Sequence, residues 1–234
     1  MRSEPYRPST GRSLSRMGSG AGISVIDSVA FDPARRRAIA QGVRLLVVAL
    51  LVSACATPAV VRSPAQDLKA AHDARMLEEV RRLGRNGDWL VIRGYHPSDH
   101  MVSVATNTPW SHAAVLDKDG DQVIEAEGLG VHTTPLAGFV SKSHRLLLVR
   151  SNWATEKSSY EAVLNARKWV GKRYDFLGLA GLDIPDRYYC SELAVAVYRA
   201  HIPTGTQVPR PVTPAQLHYW GRILFDSGDP LINW

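Results

Sequence analysis

Residues 188–200 read YYCSELAVAVYRA, with Cys190 at the point where a polar, Pro-containing loop (Asp183 to Tyr189) turns into an amphipathic helix running to about Ala200. A cysteine at a helix N-terminus feels the positive end of the peptide dipole, which favours thiolate over thiol. The unpaired N–H groups of the same first turn can hold a developing oxyanion. The chain has one other cysteine, Cys55, and a different explanation accounts for it. Cys190 is therefore expected to be a lone reactive thiol.

Working back from the helix, residues 1–54 do not read as part of a folded domain. The first twenty are rich in Ser, Gly, Arg and Pro, a composition that cannot bury a core. Arg35, Arg36, Arg37 and Arg44 then precede LLVVALLVSA, Leu45 to Ala54. That run is too short to span a bilayer but suits the apolar segment of a secretory signal. It ends in Val52-Ser53-Ala54-Cys55, which resembles the bacterial lipobox, whose cysteine is lipidated and becomes the first mature residue. An ordinary signal peptide or a buried apolar segment is the plainer alternative. The expected organisation is a lipoprotein signal peptide with a long basic region over 1–54 and a tether over 55–66 anchored through Cys55. A single domain over 67–234 follows, placing the protein at the cell envelope on a membrane. Met17 is an alternative start.

The leader also accounts for the charge. Residues 1–54 carry eight Lys and Arg against three Asp and Glu, whereas the remainder carries twenty against nineteen. The basic balance is a property of the leader and gives no reason to expect nucleic-acid binding. About 180 residues remain, enough for one substantial core.

Within them, Asp67 to Leu83 has apolar residues near helical spacing, with Gly84 placed to stop it. The period then changes. Trp89 to Arg93, Met101 to Ala105, Ser111 to Leu116, Gln122 to Ala126 and Leu146 to Arg150 are short, apolar and partly β-branched, and read as strands. DKDGDQ, Asp117 to Gln122, is a hairpin turn. Tyr160 to Val170 reads as a helix opened by Ser158 with Glu161 and closed by Gly171. Ile202 to Pro214 is Pro-rich coil, and Ile223 to Asp226 forms a last strand. Helices flanking an antiparallel sheet define an α+β protein.

A cysteine nucleophile needs a base and a polar group to orient that base. Of the eight histidines, His112 in PWSHAAVLD is favoured, because it opens a strand and small Ala113 and Ala114 leave room beside it. A satisfied structural histidine is the bland alternative. The hairpin supplies the third member in one of two registers. A two-residue Asp119-Gly120 turn sets His112 opposite Glu127, and a four-residue Asp117 to Gly120 loop sets it opposite Glu125. In either case both carboxylates share the face of His112, because side chains alternate with period two. Solvated strand-edge glutamates are the alternative.

Taken in order, GDWLVIR (Gly87 to Arg93), SHAAVL, VIEAEG, TTPL (Thr133 to Leu136), KRYDFLGL, YYCSELAVAVY and VTPAQL (Val212 to Leu217) resemble the YiiX-like group. This is the circularly permuted branch of the NlpC-type papain-like cysteine amidases. The order His, Glu, Cys carries the permutation, and the resemblance covers about Gly84 to Leu217. It implies a permuted papain-like fold, an antiparallel sheet or partial barrel packed against helices. It also implies Cys190 as nucleophile and His112 as base. Glu125 occupies the EA position of the pattern and becomes the third member, which favours the four-residue loop; Glu127 is the runner-up. The family often has Val-Gly or Met-Gly after the histidine, where this chain has Ala113-Ala114. Tyr174 and Asp175 match the YD element, and the Tyr174 hydroxyl is a candidate oxyanion donor.

The resemblance implies a hydrolase or acyltransferase working through a thioester, with a cell-wall peptide amide as the expected substrate and an acyl lipid as the alternative. A non-catalytic lipoprotein binding module is the competing class. No cofactor is expected, and oligomeric state is not legible. His96 and His100 have i, i+4 spacing, but GYHPSDH reads as loop without a Glu or Cys to complete a metal set, so no metal site is expected. His132 and His144 rank below Glu125 as triad partners; His132 lies beyond Gly128 and Gly130, where the register is expected to be lost. No phosphate-binding loop is present, since Gly128-Leu129-Gly130 lacks a third glycine and a following helix. Asp88 reads as setting a turn rather than doing chemistry.

Overall fold

Trp89 to Gly94 is the strand around which the molecule is layered, and its alternation explains why. Trp89 and Val91 point into one apolar cluster while Leu90 and Ile92 point into another. A strand buried on both faces needs helices on both sides, and the chain supplies them. The computed structural model describes residues 61–231. The leader, Cys55 and the first part of the tether lie outside the described residues.

In chain order the elements are α1 (Gln66–Leu83), β1 (Trp89–Gly94), α2 (Pro97–Thr106), β2 (His112–Asp117), β3 (Gln122–Glu127), β4 (Gly130–Pro135), α3 (Leu136–Ser141) and β5 (Ser143–Ser151). Then follow α4 (Glu156–Trp169), β6 (Arg173–Tyr174), β7 (Arg187–Tyr188), α5 (Cys190–Ala196) and β8 (Gly221–Asp226). Short 3-10 turns occupy Gly178–Ala180, Arg199–His201 and Pro214–Trp220. Six strands form one antiparallel sheet in the order β4-β3-β2-β1-β5-β8. The fold is α+β, as the patterning predicts.

One face of the sheet packs Trp89, Val91, Ala113 and Val115 against Ala162 and Ala166 of α4 and Leu193 and Ala194 of α5. Trp89 is fully buried and meets Trp153 and Tyr198 edge-on, at 5.8 and 5.9 Å. The other face packs Leu90, Ala114 and Leu116 against Met76 and Val80 of α1 and Leu136 and Phe139 of α3. Asp88 sets the turn before β1, accepting from the Arg85 N–H, and its buried carboxylate is held by Arg150.

Several local expectations are corrected. Met101 to Ala105 is helical, within α2. Pro97 starts that helix, His96 caps it, and the Asp99 carboxylate reaches back to the His96 N–H. A proline at the first helical position followed by a reciprocal cap outweighs a short apolar run. GYHPSDH is accordingly a helix start and not a loop. Helix α4 begins at Glu156, four residues before Tyr160, and its capping pair is Thr155 with Ser158. The Cys190 helix ends at Ala196, short of Ala200.

Strand β4 is a further difference. Gly130 does not end the pairing but begins a strand that runs antiparallel to β3, with Glu125 opposite His132. A glycine is needed there because φ is +110° and a Cβ would lie 2.3 Å from the Lys172 carbonyl oxygen.

Candidate active site

His112 is the first residue of β2, and that placement decides what it can touch. Its ring lies on the α3 face of the sheet, 6.1 Å from the ring of Phe139. Cys190, first residue of α5, comes from the helix packed on the opposite face. Because the strand starts here, sulfur and imidazole meet around its end. The Cys190 sulfur lies near enough to His112 and to the backbone of Ala113 for both to favour its thiolate form.

On the other side of the ring, His112 Nε2 is 2.6 Å from Glu125 Oε2. Glu125 thus holds Nε2, which leaves Nδ1 for the sulfur. The register of the hairpin is the tighter of the two considered. Ala114 pairs with Glu125 and Asp117 with Gln122, which continues to His112 opposite Glu127. The expectation that Glu125 sits directly across from His112 is therefore corrected, as is the Asp117 to Gly120 loop; the loop is Lys118 to Asp121. Glu125 reaches the ring as the diagonal neighbour, a separation that a long side chain spans. Glu127, directly opposite, has Oε1 3.8 Å from Nε2 and is 44% exposed, whereas Glu125 has no exposure. Burial and distance both rank Glu125 first.

The surroundings of Glu125 were not visible in the sequence. Thr134 Oγ1 donates to its Oε1 at 2.5 Å, and Lys142 Nζ lies 2.9 Å from each carboxylate oxygen and 2.6 Å from Glu127 Oε1. His132 Nε2 stands 3.7 Å from Glu125 Oε1 and 3.6 Å from Glu127 Oε2. Recognising β4 would have placed His132 and Thr134 on the Glu125 face by alternation. Nothing in the SKSH run around Lys142 marks that lysine.

The electrostatics follow from these contacts. Burial alone would lower the pKa of His112, but hydrogen bonds and opposite charge from Cys190 and Glu125 lift it to about 10. Burial would raise Cys190, yet His112, the Ala113 N–H and Ser191 bring it below the usual thiol range. Glu125 is likewise pulled down to about 2 against its burial, by His112 and Lys142. Such an arrangement favours thiolate and imidazolium together.

Tyr174 is close enough to Cys190 that, after burial, the negative charge there is the main influence holding its phenol protonated. Its ring packs on Phe176 at 4.7 Å. Asp175 does not face the sulfur. It accepts from the Gly178 and Ile184 N–H groups and pins the loop between β6 and β7. Ser191 donates to the Val212 carbonyl, tying the start of α5 to the end of the Pro-rich coil. His144 faces Asp229, 3.3 Å away, and takes no part in the cluster.

Residues 85–216 match the sequence model of a family described as a permuted papain-like amidase enzyme, YaeF/YiiX, C92 family. The chain belongs to this family. The match spans every residue of the cluster just described, and it makes the protein an enzyme of the papain-like cysteine-hydrolase class. Among solved structures, the chain is similar to the crystal structure of metalloprotein yiiX from Escherichia coli O157:H7. The identity is 23% and the TM-score 0.43, over 50% of this chain and 66% of that one. No curated protein matches.

His112, Glu125 and Glu127 do present donor atoms within 4.8 Å of one another, a spacing that could hold an ion. The positive charge bonded to both carboxylates is Lys142. A metal would have to displace that ammonium and draw His112 off Glu125, so this donor set does not fit a resident metal.

Proposed function

We propose that the protein is a cysteine amidase in which Cys190 is the nucleophile, His112 the base and Glu125 the residue that orients His112. The observation that carries this reading is the single imidazole held between a buried carboxylate at 2.6 Å and the sulfur at the head of α5. The Cys190 thiolate attacks a carbonyl carbon, and the resulting oxyanion lies by the first-turn N–H groups of α5 and the Tyr174 hydroxyl. The C–N bond breaks as His112 gives its proton to the leaving amine, leaving a thioester. Water then attacks, His112 takes its proton, and the acid departs as the thiolate–imidazolium pair is restored.

For the substrate we favour peptide amides of the cell wall, on the family's amidase chemistry and on the signal that precedes Cys55. In that reading Cys55 carries the lipid and holds the enzyme at the membrane. Changing Cys55 to Ser should release it into the soluble fraction, and unchanged fractionation would remove the anchor. One observation favours a second substrate. Phe176, Leu177, Leu179 and Leu182 of the pinned loop are all at least 47% exposed, and the Phe176 ring packs at a tilt against Tyr174. An apolar rim of this kind suits an acyl chain. Incubating the protein with purified wall peptides and with acyl lipids, and following product mass, separates the two. No new product in either case, from protein whose Cys190 is intact, would remove the hydrolytic reading.

A further inference from the structure

We propose that Lys142 is a positioning residue of this site, holding the Glu125 carboxylate charged and aimed at His112 while bridging it to Glu127. The inference rests on the hydrolytic reading above and adds to it a residue that neither the sequence motifs nor the triad supplies.

Glu125 has no solvent exposure, and Glu127 and the two histidines crowd the same face. Two acids sharing one site repel, and the usual outcome is that one of them takes up a proton. A protonated Glu125 would be a poor partner for imidazolium. Lys142 removes that outcome by contacting both oxygens of Glu125 and one of Glu127. The groups facing it are Glu125 and Glu127 from β3, His112 from β2, His132 and Thr134 from β4, and the ring of Phe139 from α3, 5.1 Å from its ammonium.

The backbone of Lys142 is held as well. It caps α3 through its N–H to the Val140 carbonyl, and its own carbonyl accepts from the Tyr95 N–H beyond β1. A flexible side chain anchored at its base and satisfied at its tip is fixed in position.

The test uses Lys142→Met and Lys142→Arg in the otherwise native protein. Cys190 alkylation by iodoacetamide is followed against pH, and the ring resonances of His112 are followed by NMR. With Lys142→Met, Glu125 protonates at higher pH, so the acid limb of both profiles should move up by about one pH unit. Lys142→Arg should restore it. A purely structural role would lower the amplitude and leave the limb where it was; an unmoved limb in folded Lys142→Met overturns the proposal. Should that variant fail to fold, pairing it with Glu127→Gln removes the second acid. The pair should then fold and show an acid limb within about half a pH unit of wild type. If the pair also fails to fold, or folds with the acid limb a full unit high, the bridging role is overturned. The ring titration needs no turnover. A shifted ring with an inert wild-type thiol would sink the hydrolytic reading and keep Lys142, whereas a reactive thiol with an unshifted ring would do the reverse.

Discussion

The two ends of β2 each bury a charged group, and they use it differently. At the C-terminal end, Asp117 has no exposure and is bound bidentately by Arg167 at 2.6 and 2.8 Å, with Gln122 and the Gly120 N–H completing its contacts. Every partner there is a permanent donor, so no proton passes between the partners. At the N-terminal end, His112 stands between an acid and a thiol, with Nε2 on the Glu125 carboxylate and the Cys190 charge acting on the same ring. A buried carboxylate with a fixed partner holds structure. The same burial around an imidazole leaves a proton that can move, and the proposed reaction uses it.

The largest expected difference between the two ends comes from Cys190→Ala and His112→Ala. Each should lower hydrolysis by at least about 10³-fold and leave the melting temperature within a few degrees of wild type. Turnover retained by either variant would place the chemistry elsewhere. Glu125→Gln keeps the shape but loses the charge behind His112, and should cost roughly 10²- to 10⁴-fold in kcat.

The pH dependence tests the same contrast. With Cys190 lowered and His112 raised to about 10, alkylation of Cys190 should be rapid at mildly acidic pH. The ion pair should be lost as pH rises through about 10 and the ring deprotonates. In His112→Ala the onset of alkylation should move up towards that of an ordinary thiol, and an onset that stays put would remove the pairing.

At the other end, Arg167→Met should leave kcat unchanged while costing about 1–2 kcal/mol of stability, read by denaturant titration. That is less than a fully buried pair would cost, because the guanidinium is 44% exposed and screened. The Asp117 pKa is lowered: burial would raise it, and Arg167 more than reverses that. The unfolded state therefore binds the proton more readily, and the pair's contribution is present at neutral pH and fades as pH falls through the carboxylate range. The gap between wild type and Arg167→Met should narrow on acidification; a pH-independent gap would mean packing rather than charge. The smallest effect is expected from Thr134→Val, which removes one of the donors to Glu125 and should slow turnover only a few-fold, about 1 kcal/mol.

Much of this was legible in the chain. The strands at 89, 112, 122 and 146 follow from short apolar runs bounded by turn residues, and the position of Cys190 from the loop-to-helix change. Met101 to Ala105 was misread because its apolar residues mark no buried face. Met101 is 73% and Val104 53% exposed, so composition carried no information about period, and Pro97 with its cap decided the element. Strand β4 was hidden because Gly128 and Gly130 read as a break, although Gly130 is where the chain must pass close to another backbone.

The sequence by itself determined that His112, Glu125 and Glu127 share one face, because strand side chains alternate whatever surrounds them. It also determined that a thiol would stand at the head of a helix. Only the tertiary structure decided the register of the hairpin, the diagonal reach of Glu125 to His112 and the arrival of Thr134 and Lys142 behind it. Alternation is local and written in every two residues. The rest depends on how turns close and which distant segments pack against them, and no short stretch of the chain encodes those contacts alone.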